Sequence, residues 1–432
     1  MRTKLWGYWL LLQRRQDFRW LWLAAVVSQA GDWFNTIATV VLVNRYAGGE
    51  ASGLALSGLF LVRTLPTFLL SPVAGVVVDR VNRKWVMVGS DLLRAGVVLG
   101  LLAMNSSAQV WLLYVLLVVQ FAASAFFEPA KRALVPQLVD GHGELVAANT
   151  LEGATWSAML TIGAALGGLV TGVFGVQTAL MVDAATFGLS ALFVGLISKG
   201  GGVAVSGMDG GGVSGLDDFV AGVRYVLQRP EVAVLTQVKA LGQSGSPDVL
   251  LGLLAAQVFV IGEGGATALG WMYAAFGVGA AVGPLVADWL GDAREGTLLR
   301  WVTGGFVMVA VGWWVVGLSG ALWLTLLAVF IRGMGGSINW VYSSALLQFK
   351  TEDAVRGRVF SLDFASFTLA NAVAVVWTGA LVDGWQLSPR GAALVISGIA
   401  VVALGVWLVA QMWLRGRAKR LVQAGDVLSS RD

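Results

Sequence analysis

The 432-residue chain has no cysteine, and His142 is its only histidine. Disulfides, thiolate zinc sites and paired-histidine metal sites are therefore outside its chemistry. Charge is scarce as well. Asp, Glu, Lys and Arg make up 12% of the residues, about half the share a soluble domain carries. The charges are clumped, and the stretches between them are almost purely apolar in a chain that is 57% hydrophobic. About 20 apolar residues are enough to cross the hydrocarbon core of a bilayer, and such runs recur along the whole sequence. The composition defines a polytopic membrane protein whose first partner is the lipid bilayer. Its formal net charge of +4 is too small to signal nucleic acid, so no nucleic-acid partner is expected.

Hydropathy and charged breaks predict twelve transmembrane helices. The first six spans are 18–43, 53–78, 85–104, 108–128, 147–172 and 178–198; the second six are 231–260, 266–287, 297–317, 320–345, 358–382 and 391–414. The fold class is thus all-α, with two six-helix bundles at 18–198 and 231–414. Residues 1–17 form an amphipathic stub on the membrane surface. Residues 199–230 form a connector, flexible and glycine-rich over Gly200–Gly215, then amphipathic; 415–432 form a basic tail. The glycine-rich stretch lacks the Gly-Lys-Ser/Thr ending of a phosphate-binding loop. Arg14, Arg15, Arg80, Arg83, Lys84, Lys131, Arg132, Arg229, Lys350, Arg356 and Arg415 all fall on the terminus side of the spans, while Arg45 and Arg390 are nearly alone on the other. Positive residues stay inside the cell, so both termini are expected in the cytoplasm of a bacterium, with the protein in its inner membrane.

The two halves repeat one another. Gly75-Val-Val-Val-Asp79-Arg80-Val-Asn82-Arg83-Lys84 follows the second span, and Pro284-Leu-Val-Ala-Asp288-Trp-Leu-Gly291-Asp292-Ala-Arg294 follows the eighth. Ala133-Leu-Val-Pro136 and Ala345-Leu-Leu-Gln348 recur at almost the same offset. Parallel repeats about an axis along the membrane normal, with a central site, are a recurring transporter design.

The Asp79–Lys84 region resembles the cytoplasmic signature of the major facilitator superfamily, Gly-x-x-x-Asp-Arg-x-Gly-Arg-Arg/Lys. Gly75, Asp79, Arg80, Arg83 and Lys84 match it and Asn82 replaces its second glycine, a mild change if the backbone turns left-handed there. Phe126-Phe127-Glu128-Pro129-Ala130 and Arg356-Gly357-Arg358-Val359-Phe360-Ser361 resemble the branch of enterobactin exporters and macrolide efflux proteins. Gly163-Ala164-Ala165-Leu166-Gly167-Gly168 resembles the exporters' fifth-helix motif, with Ala164 in place of its proline and the close-packing glycines kept. The resemblance implies the twelve-helix major facilitator fold, a monomer, no bound cofactor, and alternating access driven by an ion gradient. It also implies that Gly75, Asp79, Arg80, Arg83, Lys84, Asp91, Arg94 and Glu128 latch the halves together in one conformation; ordinary positive-inside anchoring is the plainer alternative.

An ionisable side chain in the bilayer costs at least about 2.5 kcal/mol, so each one needs a partner, an aqueous cavity or a role. Ser28, Asp32, Asn35, Thr36 and Thr39 make one polar stripe on the first span, with Asp32 as a proton-coupling group or a structural hydrogen-bonding group. Arg63, mid-way along the second span, is its expected counter-charge. Lys239 lies mid-span before Gly242-Gln-Ser-Gly-Ser-Pro247-Asp248, a sequence that predicts a broken helix lining a cavity. Lys239 faces either Asp248 or an anionic substrate. Arg332, Gly335, Gly336, Asn339 and Ser343 share a stripe read as the opposite cavity wall, and Glu152 and Asp183 are further proton-site candidates. Most of the nineteen tryptophans suit interfacial belts; Trp156 and Trp340 lie deeper and are placed for lipid or for an aromatic substrate.

These observations lead to a proton-coupled exporter of an amphipathic small molecule, such as a drug, macrolide or siderophore. A lysophospholipid facilitator without coupling shares the same fold, and a non-transporting sensor or scaffold is the reading from another class. A membrane enzyme would need a nucleophile–base pair or metal ligands, and the sequence supplies neither cluster.

Overall fold

The computed structural model describes residues 2–47, 52–198, 215–292, 294–353 and 355–429; most of the glycine-rich connector falls outside them. The described residues are helical and joined by short turns. The helices are α1 Arg2–Arg14, α2 Gln16–Tyr46, α3 Ser52–Arg80, α4 Arg83–Leu101, α5 Val110–Leu138, α6 Gly141–Ala158, α7 Ala164–Phe174, α8 Val176–Gly195, α9 Gly215–Gln228, α10 Pro230–Thr236, α11 Val238–Leu241, α12 Pro247–Gln257, α13 Ala266–Leu290, α14 Glu295–Leu318, α15 Leu322–Lys350, α16 Arg356–Asp383 and α17 Pro389–Ser429. Helices are what lipid demands, because every backbone N–H and C=O must find its partner within the segment.

Among the described residues, ten helical segments are long and apolar enough to cross a membrane. Two of the twelve expected spans need a different account. The third corresponds to α4, whose 19 residues include Arg83, Lys84, Asp91 and Arg94 and are correspondingly less apolar. The seventh is broken into α10, α11 and α12, as Gly242, Ser246 and Pro247 predict. At the break the Ser246 N–H donates to Thr378 Oγ1 at 2.8 Å, so a backbone group released from the helix is still satisfied.

Two compact units are present. The first comprises Met1–Asp209, Asp248–Gly277 and Gly379–Gln386. In it α2, α3, α4, α5 and α8 pack side by side, and α12, the start of α13 and the end of α16 join them. Small residues allow that approach: a Cβ on Gly168 of α7 would stand 2.6 Å from the Gly270 Cα of α13. The expected close packing of the fifth-span glycines is found here, after a single π turn at Met159–Gly163. Asp383 at the end of α16 accepts from the Gly53 N–H at 2.9 Å and the Leu54 N–H at 2.6 Å, which caps the orphan donors at the start of α3. Gly175, with φ of +90°, makes the one-residue turn between α7 and α8, a geometry that a side chain would strain.

An apolar core closes one end of this unit. Leu11 and Leu12 from α1, Phe18 and Leu21 from α2, Met87 from α4, and Phe127 and Leu134 from α5 are all buried in it. The last turn of the amphipathic stub is therefore built into the bundle. Arg15 extends the attachment, pairing with Asp140 and donating to Glu144 at 2.8 Å. The Glu144 hydrogen bonds, with the Asp140 carboxylate beside them, hold the guanidinium's pKa above its ordinary value.

Asn82 departs from its expected role. Its φ of −61° and ψ of 114° are extended, and its side chain accepts from the Lys84 N–H at 3.1 Å, so it is the N-cap of α4 and not a left-handed turn.

The second unit comprises Gly210–Pro247, Val278–Thr378 and Leu387–Asp432. Its core is Val232, Leu235, Val238, Val302, Phe306, Ile338, Leu346, Leu347 and Trp407. Here α14 lies between α15 and α17. Trp407, buried despite its size, donates its indole N–H to Thr303 Oγ1 at 3.0 Å.

Candidate functional site

In the first unit a chain of polar groups crosses from α8 through α2 to α3. Asp183 is fully buried. Its Oδ2 accepts from the Asn35 amide at 2.9 Å, while its Oδ1 is buried with no hydrogen-bond partner. Asn35, itself fully buried, accepts through Oδ1 from Arg63 at 3.3 Å. A second arm of the same guanidinium donates to Thr36 Oγ1 at 2.5 Å, and Thr36 donates to the Asp32 carbonyl at 2.6 Å. Arg63 also lies over the Phe121 ring, 4.7 Å from its centroid.

Arg63 and Asp32, expected as counter-charges, are not in direct contact. Arg63 makes its direct bonds one turn further along α2, to Asn35 and Thr36, and no salt bridge to Asp32 is formed among the described residues. Asp183 is the acid tied to the chain. Gly31 makes the approach of α2 to α8 possible, since a Cβ there would overlap Thr186 Oγ1. Asp248 also belongs to the first unit, where it accepts from the Tyr273 hydroxyl at 2.9 Å; Tyr273 in turn packs against Trp33 at 5.1 Å between centroids.

The latch residues divide into separate groups. Asp79 and Arg83 stand 3.7 Å apart at the start of α4. Asp91 and Arg94 pair inside the bundle; Asp91 accepts from Ser190 Oγ at 2.7 Å, and Arg94 lies between the Phe127 and Phe187 rings. That pair ties α4, α5 and α8 together. Glu128 meets Lys131 at 3.0 Å, and Lys131 reaches Glu152 at 2.7 Å. Glu152 is thus engaged by Lys131, a residue whose sequence pattern marks it only as a terminus-side positive charge. Lys84 donates to the Ile197 carbonyl at 2.8 Å. Arg80 enters no ion pair among the described residues, and Gly75 has open space where a Cβ would stand.

In the second unit Lys239 is paired with Asp363 of α16, and both side chains are buried. This corrects the expected partnership with Asp248 and leaves Lys239 already matched to a carboxylate. The ammonium also lies 4.8 Å from the Trp340 centroid and 5.7 Å from that of Phe360. Asp363 stands in no polar stripe or motif of the sequence; the signal that points to it is its place inside the predicted eleventh span, where every acid needs a reason.

Part of the stripe on α15 packs against α14. Arg332, Gly335 and Asn339 turn toward α14: a Cβ on Gly312 would meet the Arg332 Cβ at 2.7 Å, one on Gly305 would overlap the Asn339 Oδ1, and one on Gly335 would meet the Gly305 carbonyl at 2.5 Å. Small residues at these places make a close helix–helix seam. Arg332 lies 5.3 Å from the Trp313 ring centroid, and both amide atoms of Asn339 are buried without a hydrogen-bond partner. Trp156 is largely exposed.

The fold and the charges sequestered inside both units are those of a multi-pass membrane protein, and its family and relatives make it a transporter of the major facilitator type. The fold is similar to that of the nucleoside transporter NupG, with a TM-score of 0.70 at 11% identity, covering 91% of this chain and 98% of that one. The chain belongs to the transmembrane secretion effector family, whose model matches residues 10–423. It is 25% identical to the MFS-type transporter YfiS of Bacillus subtilis (strain 168), over 92% of this chain and 93% of that protein. It is 24% identical to macrolide efflux protein A of Streptococcus pyogenes, over 85% and 89% respectively.

Proposed function

We propose that this transporter exports an amphipathic small molecule from the cell in exchange for protons, as a monomer in a bacterial inner membrane with both termini cytoplasmic. The observation that supports the coupling is the chain Asp183–Asn35–Arg63. A buried carboxylate normally collects donors on both oxygens. Asp183 has one donor and one bare oxygen, so an added proton has a place to sit without displacing an existing bond. Loading or emptying that position changes the charge that Arg63 balances through Asn35. Because Arg63 is anchored on α3 and Asp183 on α8, the change is delivered to the packing between helices.

Asp32, one turn from Asn35 on the same helix and partly exposed, is the candidate for passing protons to this buried acid or for meeting cargo. The macrolide efflux relative supports the outward direction and the substrate class.

The test is flux in proteoliposomes with an imposed pH gradient, screening dyes, macrolides and siderophores. Gradient-driven accumulation of a cargo supports the exporter. Flux that ignores the gradient favours a facilitator, with lysophospholipid as the next cargo to try. Absence of flux for every cargo, lipid included, favours a sensor or scaffold.

A further inference from the structure

We propose that Asp363, Trp340 and Phe360 form a recognition site for the cationic nitrogen of a lipophilic substrate, and that Lys239 is its resident occupant, displaced when cargo binds. The inference rests on the transporter reading for its purpose, but the site itself can be tested by binding alone.

The groups around Lys239 are those that recognise organic cations. An acid supplies the counter-charge, and two aromatic faces lie within about 6 Å of the nitrogen, the range over which a ring attracts a cation. If the pair were only structural, both carboxylate oxygens should be satisfied, because a bare oxygen at this depth is costly. Asp363 Oδ1 is instead buried without a partner. A substrate N–H would provide the missing donor.

The site also has a way in and an occupant that can leave. Trp340 is 41% exposed and Phe364 is 52% exposed, and Trp340 stands edge-on to Phe367 at 4.9 Å. Phe364 meets Phe367 at 6.1 Å, so a run of rings leads from exposed positions to the Trp340 face that lies against the Lys239 ammonium. Lys239 sits on α11, a single four-residue turn between Gln237 and Gly242. An isolated turn of this length has little intrinsic helical stability, so the lysine can be withdrawn without dismantling a long span. The chemistry selects singly charged, lipophilic amines and excludes anions, which Asp363 would repel.

The experiment uses the full chain purified in detergent, with no gradient, and ethidium as the probe: a planar aromatic cation bearing N–H donors. Neutral Nile red is the uncharged control. If Lys239 occupies the site about nine-tenths of the time, Lys239→Gln should tighten ethidium binding about tenfold. Asp363→Asn should weaken it by about tenfold or more, and Trp340→Ala by about threefold or more. Lys239→Gln/Asp363→Asn should fold without a buried charge and bind no better than Asp363→Asn. Nile red should be indifferent to all four.

A second measurement needs no variant. Acetylation of Lys239 by acetic anhydride, read by mass spectrometry, should rise several-fold when ethidium is added to the wild-type protein. The proposal is overturned if the wild type shows no saturable ethidium binding. It is equally overturned if folded Asp363→Asn and Trp340→Ala bind as the wild type does, if Lys239→Gln weakens binding, or if ethidium leaves Lys239 acetylation unchanged or lower. Ethidium binding that behaves as expected, with no gradient-driven flux of any cargo, would remove the exporter reading and leave the site standing.

Discussion

Asn35 donates to Asp183 Oδ2 at 2.9 Å across the α2–α8 contact, and both residues are fully buried. The same amide accepts from Arg63 through its oxygen, so one uncharged side chain joins an acid to a base that do not touch. Asn35→Leu fills the space but removes both bonds. Leaving one buried group unsatisfied costs about 1–3 kcal/mol, more where it is charged. Thermal unfolding in detergent should show a clear loss for Asn35→Leu, which strands groups on both Asp183 and Arg63, and a smaller one for Thr36→Val. The latter removes two bonds but strands only the guanidinium, because the Asp32 carbonyl stays within the α2 helix. Equal effects would mean that the amide is not the central link.

Lys131 lies between Glu128 and Glu152, and its side chain is 5% exposed against 45% and 30% for the two acids. Either acid alone can neutralise the buried ammonium. Glu128→Gln and Glu152→Gln should therefore each cost no more than about 1 kcal/mol, as for exposed pairs. The double variant leaves the buried lysine without a carboxylate and should lose about 3–5 kcal/mol. A double-mutant cycle in unfolding free energy checks this, and simple additivity would contradict it.

Asn82 distinguishes two accounts of the motif ahead of α4. As an N-cap with φ of −61°, it should lose about 1 kcal/mol on replacement by Ala but only a few tenths on replacement by Gly, and Ser or Asp should restore it. A left-handed turn would instead make Gly the most stable variant. Comparing the unfolding midpoints of the four substitutions decides the matter.

Much of the fold was legible because lipid imposes a simple code: apolar runs of a fixed length, broken by clumped charge. The count became uncertain only where function or packing breaks that code, at the charge-bearing α4 and the interrupted seventh span. The site was less legible. Helical spacing placed Asp32, Asn35 and Thr36 on one face, but the axial register of α3 against α2 decided that Arg63 reaches Asn35 and Thr36. Sequence proximity suggested Asp248 for Lys239, whereas the partner comes from 124 residues away on α16. The Arg332–Asn339 spacing identified a shared face of α15, yet only the glycines opposite it, Gly305 and Gly312, show that this face is a packing seam.

The most direct test of the coupling account is the pH-gradient dependence of cargo flux in proteoliposomes carrying wild type, Asp183→Asn or Asp32→Asn. Asp183→Asn keeps the shape of the side chain and can keep a hydrogen bond with Asn35 after an amide flip, but it cannot exchange a proton. The account predicts that the Asp183→Asn protein folds, binds cargo and moves it down a concentration gradient, while the response to an imposed pH gradient disappears. A folded Asp183→Asn protein that still accumulates cargo against its gradient when protons are supplied would contradict the account, and loss of the response in Asp32→Asn alone would transfer the coupling role to Asp32.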